Sequence, residues 1–232
     1  MKLYSFYHIY ADGKWFKPLW EHLRALKKSD LCNHLEIQIF GILGSEAHAM
    51  QVIKFLRFYS FFFPFAYEVI NHHSLDGWEQ PTLDEIHEFS LNNDGYVLYA
   101  HTKGAANPEE PNPSWRKSMT HFNILKWREA VEKLKDHQAV GCHWLLPKDL
   151  PFNGYFFAGN FWWAHLSLIR TLKKPSRVNR YDAESWIGSN YHLEPFPVFD
   201  LNPGFPDRSI FKGMKVREFL REIKKKLKGL KS

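Results

Sequence analysis

Apolar strands and amphipathic helices alternate through the first hundred residues, and this order restricts the fold more than any other feature of the sequence. Four segments have the apolar content of buried strands: Leu3 to Tyr10, Leu35 to Leu43, Ala66 to Ile70 and Tyr96 to Ala100. Three segments between them have helical spacing: Lys17 to Lys27, Glu46 to Phe62 after a capping Ser45, and Thr82 to Ser90. Right-handed crossovers in a βαβαβαβ order produce a mostly parallel sheet. We therefore predict an α/β protein, a single three-layer α/β/α sandwich with a mostly parallel central sheet.

Composition agrees with one domain. The chain has 232 residues, 44% of them hydrophobic, which is enough for one sizeable core, and no linker-like segment divides it. Cys32 and Cys142 lie far apart without the spacing of a zinc module, so we expect a reducing compartment and no zinc site. The N-terminus lacks signal-peptide features, and the richest apolar run, residues 55–66, is short and interrupted by Arg57. These features predict a cytoplasmic protein without a membrane span.

The formal net charge of +6 is concentrated at the C-terminus. Residues 212–231 contain nine Lys or Arg and two Glu, a net charge of +7, which leaves −1 for the rest of the chain. The apolar residues of this segment have the spacing of one helical face: Val216, Phe219, Leu220, Ile223, Leu227 and Leu230. We therefore predict a folded domain at 1–211 and a basic amphipathic helix at 212–232. This helix either binds an anionic membrane surface or packs on the domain with its lysines in solvent.

The fourth predicted strand runs directly into a group of polar residues, His101, Thr102, Lys103 and Gly104. Ligands of parallel α/β sheets bind beyond the carboxyl ends of the strands. His101 and Lys103 alternate with Thr102, so in an extended chain both side chains face the same side and together suit an anionic ligand. The alternative is a strand end with a solvated lysine.

A proline-rich segment, Ala105 to Pro113, follows this strand and is predicted to form an ordered loop over the sheet edge. Ser114 is then expected to cap a helix that has Arg116 in its first turn. A longer amphipathic helix follows, with its apolar face at Ile124, Trp127, Val131 and Leu134. Arg116 near a helix N-terminus suits an anion, and the alternatives are stacking on a Trp or pairing with a Glu.

A fifth strand is predicted at Ala139 to Leu146, and a dense aromatic segment, Tyr155 to Ala164, follows it. Gly159 within this apolar segment indicates a bulge or a close approach by a ligand, and the Asn160 amide suits sugar hydroxyl groups. Trp162 has a ring that can stack on a sugar if its face is exposed. Core packing alone also explains aromatic residues at this density.

Two carboxylates lie close together in the segment 180–188. Asp182 is predicted to be the N-cap of a short helix that ends before Gly188. Glu184 does not fit a capping role. It is therefore available for chemistry or for a salt bridge.

Taken in order, the four motifs resemble those of the small GT-A glycosyltransferases of bacterial and large-virus surface polysaccharide synthesis. The motifs are His-Thr-Lys-Gly at 101–104, Trp-Arg at 115–116, Gly-Asn-Phe-Trp-Trp-Ala at 159–164, and Glu-Ser-Trp-Ile-Gly at 184–188. They are more remotely similar to those of the rhamnan-synthesis type. The resemblance spans about Leu3 to Asn202 and gives no support to the C-terminal helix. It implies a GT-A fold at 1–211 that binds a nucleotide-sugar donor across the first and fourth strands.

The resemblance implies transfer of a hexosyl or deoxyhexosyl group from a UDP- or dTDP-sugar to a glycan or lipid-linked acceptor, in surface polysaccharide or lipopolysaccharide synthesis. Glu184 is the candidate base for an inverting displacement, with Asp182 as the second candidate; a retaining enzyme needs no such base. The candidate donor-binding residues are Tyr7, His8, Tyr10, His101, Thr102, Lys103, Gly104, Arg116, Gly159, Asn160, Trp162 and His192.

The sequence departs from the usual GT-A pattern at the end of the fourth strand. Most GT-A enzymes hold a divalent metal there on an Asp-x-Asp motif, whereas this chain has His101-Thr102-Lys103. A lysine does not ligate Mg²⁺ or Mn²⁺, so we expect Lys103, helped by Arg116, to neutralise the donor diphosphate without a metal. Asp94 is the alternative metal ligand.

Two classes of function other than a glycosyltransferase are relevant to this sequence. A non-catalytic carbohydrate- or nucleotide-binding module with a GT-A core is the main alternative. Nucleic acid is not an expected partner, because its phosphates require a basic surface on the folded domain and the basic residues are confined to the tail. At the membrane, we expect at most peripheral association on the inner face, through residues 212–231.

Overall fold

The computed structural model describes residues 1–72, 77–109, 112–146 and 154–203. Nine strands are present in this part of the chain: β1 Leu3–Tyr10, β2 Ile37–Leu43, β3 Tyr67–His72, β4 Tyr96–His101, β5 Ala139–Gly141, β6 Trp144–Leu145, β7 Phe156–Phe157, β8 Trp162–His165 and β9 Val198–Asp200. The α-helices are α1 Phe16–Lys28, α2 Glu46–Phe62, α3 Gln80–Asn92, α4 Asn112–Thr120, α5 Trp127–Lys133, α6 Leu166–Thr171 and α7 Tyr181–Ser185. A 3-10 turn at Leu31–Asn33 and a π-helix at His121–Leu125 complete the elements.

Seven of the strands form one sheet in the order β3-β2-β1-β4-β8-β5-β9. The first four strands are parallel, which confirms the predicted α/β class. In the register of β1 and β4, His8 lies beside His101, so the carboxyl ends of these two strands coincide. Strand β8 lies antiparallel between β4 and β5, and β9 pairs in parallel with β5.

Helices cover both faces of the sheet. Tyr4 and Phe6 of β1 pack in one core cluster with residues of α3 and α6, whereas Tyr7 and Ile9 pack with residues of α1 and α2. Successive residues of a strand face opposite sides, so this alternation divides the core into two layers. The predicted three-layer sandwich is therefore confirmed.

The second half of the sheet differs from the prediction. Instead of a single strand at 139–146, the chain leaves the main sheet at His143, which has φ of 61°. Asp200 accepts hydrogen bonds from the His143 and Trp144 amides at 2.9 and 2.8 Å, which stabilises the turn. Strand β6 then pairs with β7 in a separate two-stranded ribbon. This break was not predicted, because a histidine within an apolar run is not a turn signal of the kind that proline or asparagine provides.

The N-terminal ends of α4 and α2 also differ in detail from the prediction. Helix α4 begins at Asn112, within the segment that was predicted as a loop, two residues before Ser114. Ser45 occupies the N-cap position of α2 with an extended backbone, as predicted, but its hydroxyl makes no capping hydrogen bond. It donates instead to Asp12 at 2.7 Å.

The predicted C-terminal helix at 212–232 lies outside the described residues. Within the described ranges, no helix has both the length and the apolar content needed to cross a bilayer.

Candidate active site at the carboxyl edge of the sheet

A buried polar cluster lies at the carboxyl end of β4, on the face of the sheet covered by α3. Its centre is Glu79, the residue before α3. Glu79 Oε1 is 3.2 Å from His101 Nδ1, and Oε2 accepts hydrogen bonds from the Tyr99 hydroxyl at 2.9 Å and from Asn160 Nδ2 at 2.6 Å. Trp162 Nε1 donates to Asn160 Oδ1 at 2.8 Å. We call these five residues the Glu79 cluster.

The turn between β7 and β8 brings Asn160 into this cluster. Gly159 and Asn160 have φ of 90° and 57°, a left-handed conformation that glycine and asparagine tolerate best. A Cβ at Gly159 would lie 2.6 Å from Met119 Sδ, so the turn also packs tightly against α4. Asn160 Nδ2 donates a second hydrogen bond to the Ala183 carbonyl at 3.2 Å, which links the turn to α7.

Protonation of the cluster is controlled by burial. Burial raises the pKa of the Glu79 carboxyl, although Asn160 and Tyr99 donate hydrogen bonds to it and oppose that shift. Burial also lowers the pKa of His101 to about 3, with a further decrease from the Lys103 charge. The second ring nitrogen, His101 Nε2, lies 3.0 Å from the Gly159 carbonyl and donates to it. The Glu79–His101 pair therefore shares one proton between Oε1 and Nδ1 and is neutral as a unit.

Two charged side chains border the cluster. The Lys103 ammonium lies 4.5 Å from the centre of the Trp115 ring and lowers the pKa of both Glu79 and His101. Glu184 of α7 is half-buried and makes no hydrogen bond or ion pair with any described residue. Its carboxylate opposes the fall in the His101 pKa, and the carbonyl of the preceding residue, Ala183, accepts a hydrogen bond from Asn160, which places Glu184 at the border of the cluster. The site thus brings together an ammonium, a carboxylate and a neutral His–Glu pair.

Arg116 positions the segment that carries Lys103. Its guanidinium is buried and donates from Nε and Nη2 to Glu21 Oε2 of α1 at 3.0 and 2.9 Å. Nη1 donates to the Lys103 carbonyl. Pairing with a glutamate, one of the alternatives left open by the sequence, is therefore the observed state. Gly104 has φ of 86°, and a Cβ there would lie 3.2 Å from Arg116 Nη1.

Thr102 ties the end of β4 to the end of β1, and His8 ties β1 to α3. Thr102 Oγ1 accepts a hydrogen bond from the Tyr10 amide at 2.9 Å. His8 Nδ1 lies 2.8 Å from Thr82 Oγ1 of α3, and a Cβ at Gly41 would lie only 2.1 Å from the same oxygen. Glycine at position 41 is thus required for the contact between His8 and α3.

Three candidate residues lie apart from the cluster or are already engaged. Tyr7 is on the opposite face of the sheet, stacked on His22 with ring centres 3.8 Å apart. His192 is exposed in the turn after α7, with its ring centre 5.1 Å from that of Tyr155. Trp162 is fully buried, so its ring is not exposed for stacking on a sugar, and its indole N–H holds Asn160.

Asp182 is not the N-cap that the sequence predicted. It lies inside α7, and its carboxylate accepts hydrogen bonds from the backbone amide and the side chain of Asn179. Asn179 Oδ1 in return accepts from the amides of Tyr181 and Asp182, at 2.8 and 3.2 Å. Asn179 therefore performs the capping role, because its side chain reaches the free amides at the start of α7.

The ligand set does not fit a divalent metal at the end of β4. Both His101 nitrogens already face partners, Thr102 Oγ1 accepts the Tyr10 amide, and the Lys103 ammonium has no lone pair to offer. Asp94, the alternative ligand, precedes β4 at the opposite end of that strand and pairs with Arg170 at 2.9 Å. Among the described residues, no three His, Cys, Asp or Glu side chains converge as metal ligands would.

Glu79 is the central residue that the sequence analysis missed. It lies in no recognisable motif, 20 positions before Tyr99 and 81 before Asn160. One signal was present, because an acidic residue at the start of the helix after a parallel strand lies at the carboxyl edge of the sheet.

A sequence model described as Domain of unknown function (DUF8361) matches residues 6–179. The chain belongs to this family. The matched part of the DUF8361 domain contains the whole Glu79 cluster and ends before Glu184. No curated protein matches the chain in sequence.

Among solved structures, the DUF8361 domain is similar to the mannosyltransferase PcManGT from Pyrobaculum calidifontis, solved in complex with GDP-Man and Mn²⁺. The TM-score is 0.54 and the identity 11%, over 86% of this chain and 54% of that protein. The chain therefore spans about half the length of PcManGT. A second similar structure is 4-diphosphocytidyl-2C-methyl-D-erythritol synthase, with a TM-score of 0.37 and 10% identity over 86% of this chain and 89% of that one. The similarity to PcManGT shows a GT-A-like fold.

Proposed function

We propose that this protein is a glycosyltransferase that uses a nucleotide-sugar donor. The observation that carries the proposal is the placement of Lys103 and Glu184 around one buried polar cluster at the carboxyl edge of a GT-A-like sheet. This edge is where α/β sheets bind ligands. The side chains of His101 and Glu79 are 12% and 15% exposed, whereas Tyr99 and Asn160 are buried, so a ligand reaches the cluster through the His–Glu pair.

Lys103 is assigned to the donor diphosphate. It forms no ion pair with a described acidic residue, so its charge is available to an anionic ligand. Arg116 and Gly104 hold its backbone in place, and Thr102 joins it to the end of β1. Tyr10 and His8, at the end of β1, then border the nucleoside. Because the residues at this edge do not fit a metal, we assign the neutralising charge to Lys103 alone.

Glu184 is assigned as the general base of an inverting displacement. It accepts the proton of the acceptor hydroxyl while the hydroxyl oxygen forms a bond to the anomeric carbon of the donor. The bond from that carbon to the diphosphate oxygen breaks, and its electron pair remains on the diphosphate, facing Lys103. Asp182 is the weaker candidate, because its carboxylate already accepts two hydrogen bonds from Asn179.

The Glu79 cluster is assigned to the sugar-binding end of the site. Asn160 and Gly159 shape this end through the left-handed turn, and Trp162 fixes the Asn160 amide. We include His192 as a candidate at the rim, and Tyr7 of β1 as a buried support on the opposite face of the sheet. Within the proposal, the donor is a UDP- or dTDP-sugar and the acceptor a glycan or lipid-linked glycan of a surface polysaccharide. The catalytic domain is residues 1–211, in the cytoplasm.

Replacement of Glu184 tests the catalytic step. In Glu184→Gln we expect turnover to fall by roughly 10² to 10⁴ with nearly unchanged donor affinity, because the carboxylate acts in the transition state. Donors are first selected by thermal shift with nucleoside diphosphates and their sugars, and turnover is then followed by release of the nucleoside diphosphate. Glu194→Gln, an exposed carboxylate ten residues away, is the matched control. Donor binding without turnover in the wild type would identify a non-catalytic module instead.

Replacement of Lys103 tests the metal-free diphosphate site. Lys103→Met is expected to weaken binding of the donor and of the free nucleoside diphosphate by about 10- to 100-fold, through loss of a charge-assisted contact. Lys117→Met, an exposed lysine on α4, is the control. The wild type is expected to remain active in a chelator. Loss of activity in the chelator and its recovery with Mn²⁺ would show that the metal-free account is wrong.

A further inference from the structure

Four phenylalanines at the end of α2 are exposed to an unusual degree. Phe58, Phe61, Phe62 and Phe63 have exposed fractions of 66%, 80%, 58% and 37%. We call them the α2 aromatic patch. Phe62 packs on Phe58 and Phe61, with ring centres 5.1 and 5.2 Å apart, so these three rings form one continuous surface, and Phe63 follows them directly in the chain. A contiguous exposed apolar surface of this kind marks a site of association.

Basic side chains surround the α2 aromatic patch. Lys54 and Arg57 are exposed on α2, and Arg24, Lys27 and Lys28 are exposed on α1. The Lys27 ammonium lies 3.5 Å from the centre of the Phe63 ring, which joins the basic and aromatic parts into one surface. None of these five residues forms an ion pair with a described acidic residue.

Acidic residues are sparse around the same surface. Between Glu46 and Glu68 the sequence contains no Asp or Glu. On α1 the single acidic residue, Glu21, pairs with the buried Arg116. The surface therefore combines aromatic rings with positive charges that no described carboxylate compensates. This combination complements a partner that is anionic at its boundary and apolar beneath.

We propose that the α2 aromatic patch docks the protein on an anionic lipid bilayer. Phenyl rings enter the region between headgroups and acyl chains, while the surrounding lysines and arginines contact anionic headgroups. The proposal rests on the described residues of α1 and α2, so it depends neither on the glycosyltransferase assignment nor on residues 212–231.

Charge also argues against two other occupants of the patch. A two-fold dimer through this surface would place the same five cations of each copy against those of the other, because such an interface is self-complementary. The C-terminal segment 212–231 carries a net charge of +7 and is repelled by the same residues. An anionic bilayer has the opposite charge and an apolar interior, so it matches both properties of the surface.

Vesicle flotation with the full chain tests the proposal. Wild-type protein is expected to float with vesicles of phosphatidylcholine and phosphatidylglycerol, and much less with phosphatidylcholine alone. The triple variant F58S/F61S/F62S is expected to bind the anionic vesicles about tenfold or more weakly, because three apolar side chains no longer enter the interface. K54E/R57E is expected to lose binding to anionic vesicles as well.

The matched control is V178S/L193S, which removes two apolar side chains that are 87% and 83% exposed outside the patch. It is expected to bind like the wild type. Circular dichroism melting shows whether each variant is folded. We expect each variant to fold like the wild type, because the replaced residues are exposed. The proposal is wrong if the wild type does not bind anionic vesicles, or if the triple variant binds them as tightly as the wild type. Size-exclusion chromatography of the same proteins tests for a homodimer. If the wild type is a dimer, and the triple variant is a monomer that still binds vesicles, the patch is a homodimer interface instead.

Discussion

Two buried polar regions lie on opposite faces of the central sheet and differ in how their hydrogen bonds are satisfied. In the Glu79 cluster, the Tyr99 hydroxyl, the Asn160 amide and both His101 nitrogens have partners. On the α1 face, Tyr7 stacks on His22, yet the Tyr7 hydroxyl and both His22 nitrogens have no hydrogen-bond partner within 3.5 Å among the described residues, and Gln38 only opposes the fall in the His22 pKa. We call this second region the Tyr7–His22 stack.

The difference separates two uses of buried polar residues. A connected network holds each member in one orientation, which is what a binding site requires. The Tyr7–His22 stack contributes ring packing, and its polar atoms lose solvation without a compensating hydrogen bond. We therefore expect changes in the Glu79 cluster to cost stability and changes in the stack to cost little or to stabilise.

The largest expected effect is that of Glu79→Ala. Loss of the carboxylate leaves the Tyr99 hydroxyl, the Asn160 amide and His101 Nδ1 without a partner, which we expect to lower the free energy of unfolding by about 2–4 kcal/mol. Urea denaturation measures this change. Glu79→Gln is the control, because its amide oxygen can accept from Tyr99 and Asn160 while its NH₂ donates to His101. Equal losses in the two variants would indicate that Glu79 is ionised and that His101 carries the proton.

Acid is expected to destabilise the protein through histidines on both faces. Burial lowers the pKa of His22 to about 3 and holds that of His8, on the α3 face, well below the ordinary value of 6.5. Between these pH values the unfolded chain binds protons that the folded one excludes, so stability is present above pH 6.5 and is lost as pH falls toward 3. The expected slope is about 1.4 kcal/mol per pH unit for each histidine. Urea denaturation from pH 7.5 to pH 5 measures it.

His22→Phe isolates the contribution of the Tyr7–His22 stack to the acid sensitivity. The phenyl ring keeps the stacking on Tyr7 and removes both unpartnered nitrogens, so we expect a larger gain in stability at pH 5 than at pH 7.5. An equal gain at the two pH values would mean that His22 does not contribute to the acid sensitivity.

The smallest expected effects come from two tyrosines on neighbouring strands. Tyr99→Phe removes a hydrogen bond to Glu79 and is expected to cost about 1–2 kcal/mol, whereas Tyr7→Phe removes an unpartnered hydroxyl and should be neutral or stabilising by up to about 1 kcal/mol. Thermal and urea unfolding of the two variants measure the contrast directly. If Tyr7→Phe costs as much as Tyr99→Phe, the hydroxyl of Tyr7 is hydrogen-bonded and the two regions satisfy their polar groups alike.

The first half of the fold follows from the sequence. Strand β1 and helix α2 have the predicted bounds, Leu3–Tyr10 and Glu46–Phe62, because strand and helix periodicities are local properties of the chain. The end of β4 was identified as a polar edge for the same reason, since the apolar strand stops where His101 begins.

The second half depends on contacts between distant segments. Strand β8 lies antiparallel between β4 and β5, and no local pattern in Trp162–His165 specifies which strands it joins. Pairing of this kind is decided by how side chains pack across the whole sheet. The break at His143 depends likewise on Asp200, 57 residues away, whose carboxylate accepts the freed amides.

The residues of the candidate site also fall into two groups, those that the sequence indicated and those that only the structure revealed. The amino-acid sequence by itself indicated that His101 and Lys103 lie at a strand end and suit an anionic ligand, and that Glu184 does not cap its short helix, because residue type and position at a strand end or in a short helix are local information. Only the tertiary structure decided that Glu79 joins His101 and Asn160, that Arg116 pairs with Glu21, and that Tyr7 lies on the other face. A buried ionisable group is stable only with its partners, and those partners are selected by the packing of the whole chain.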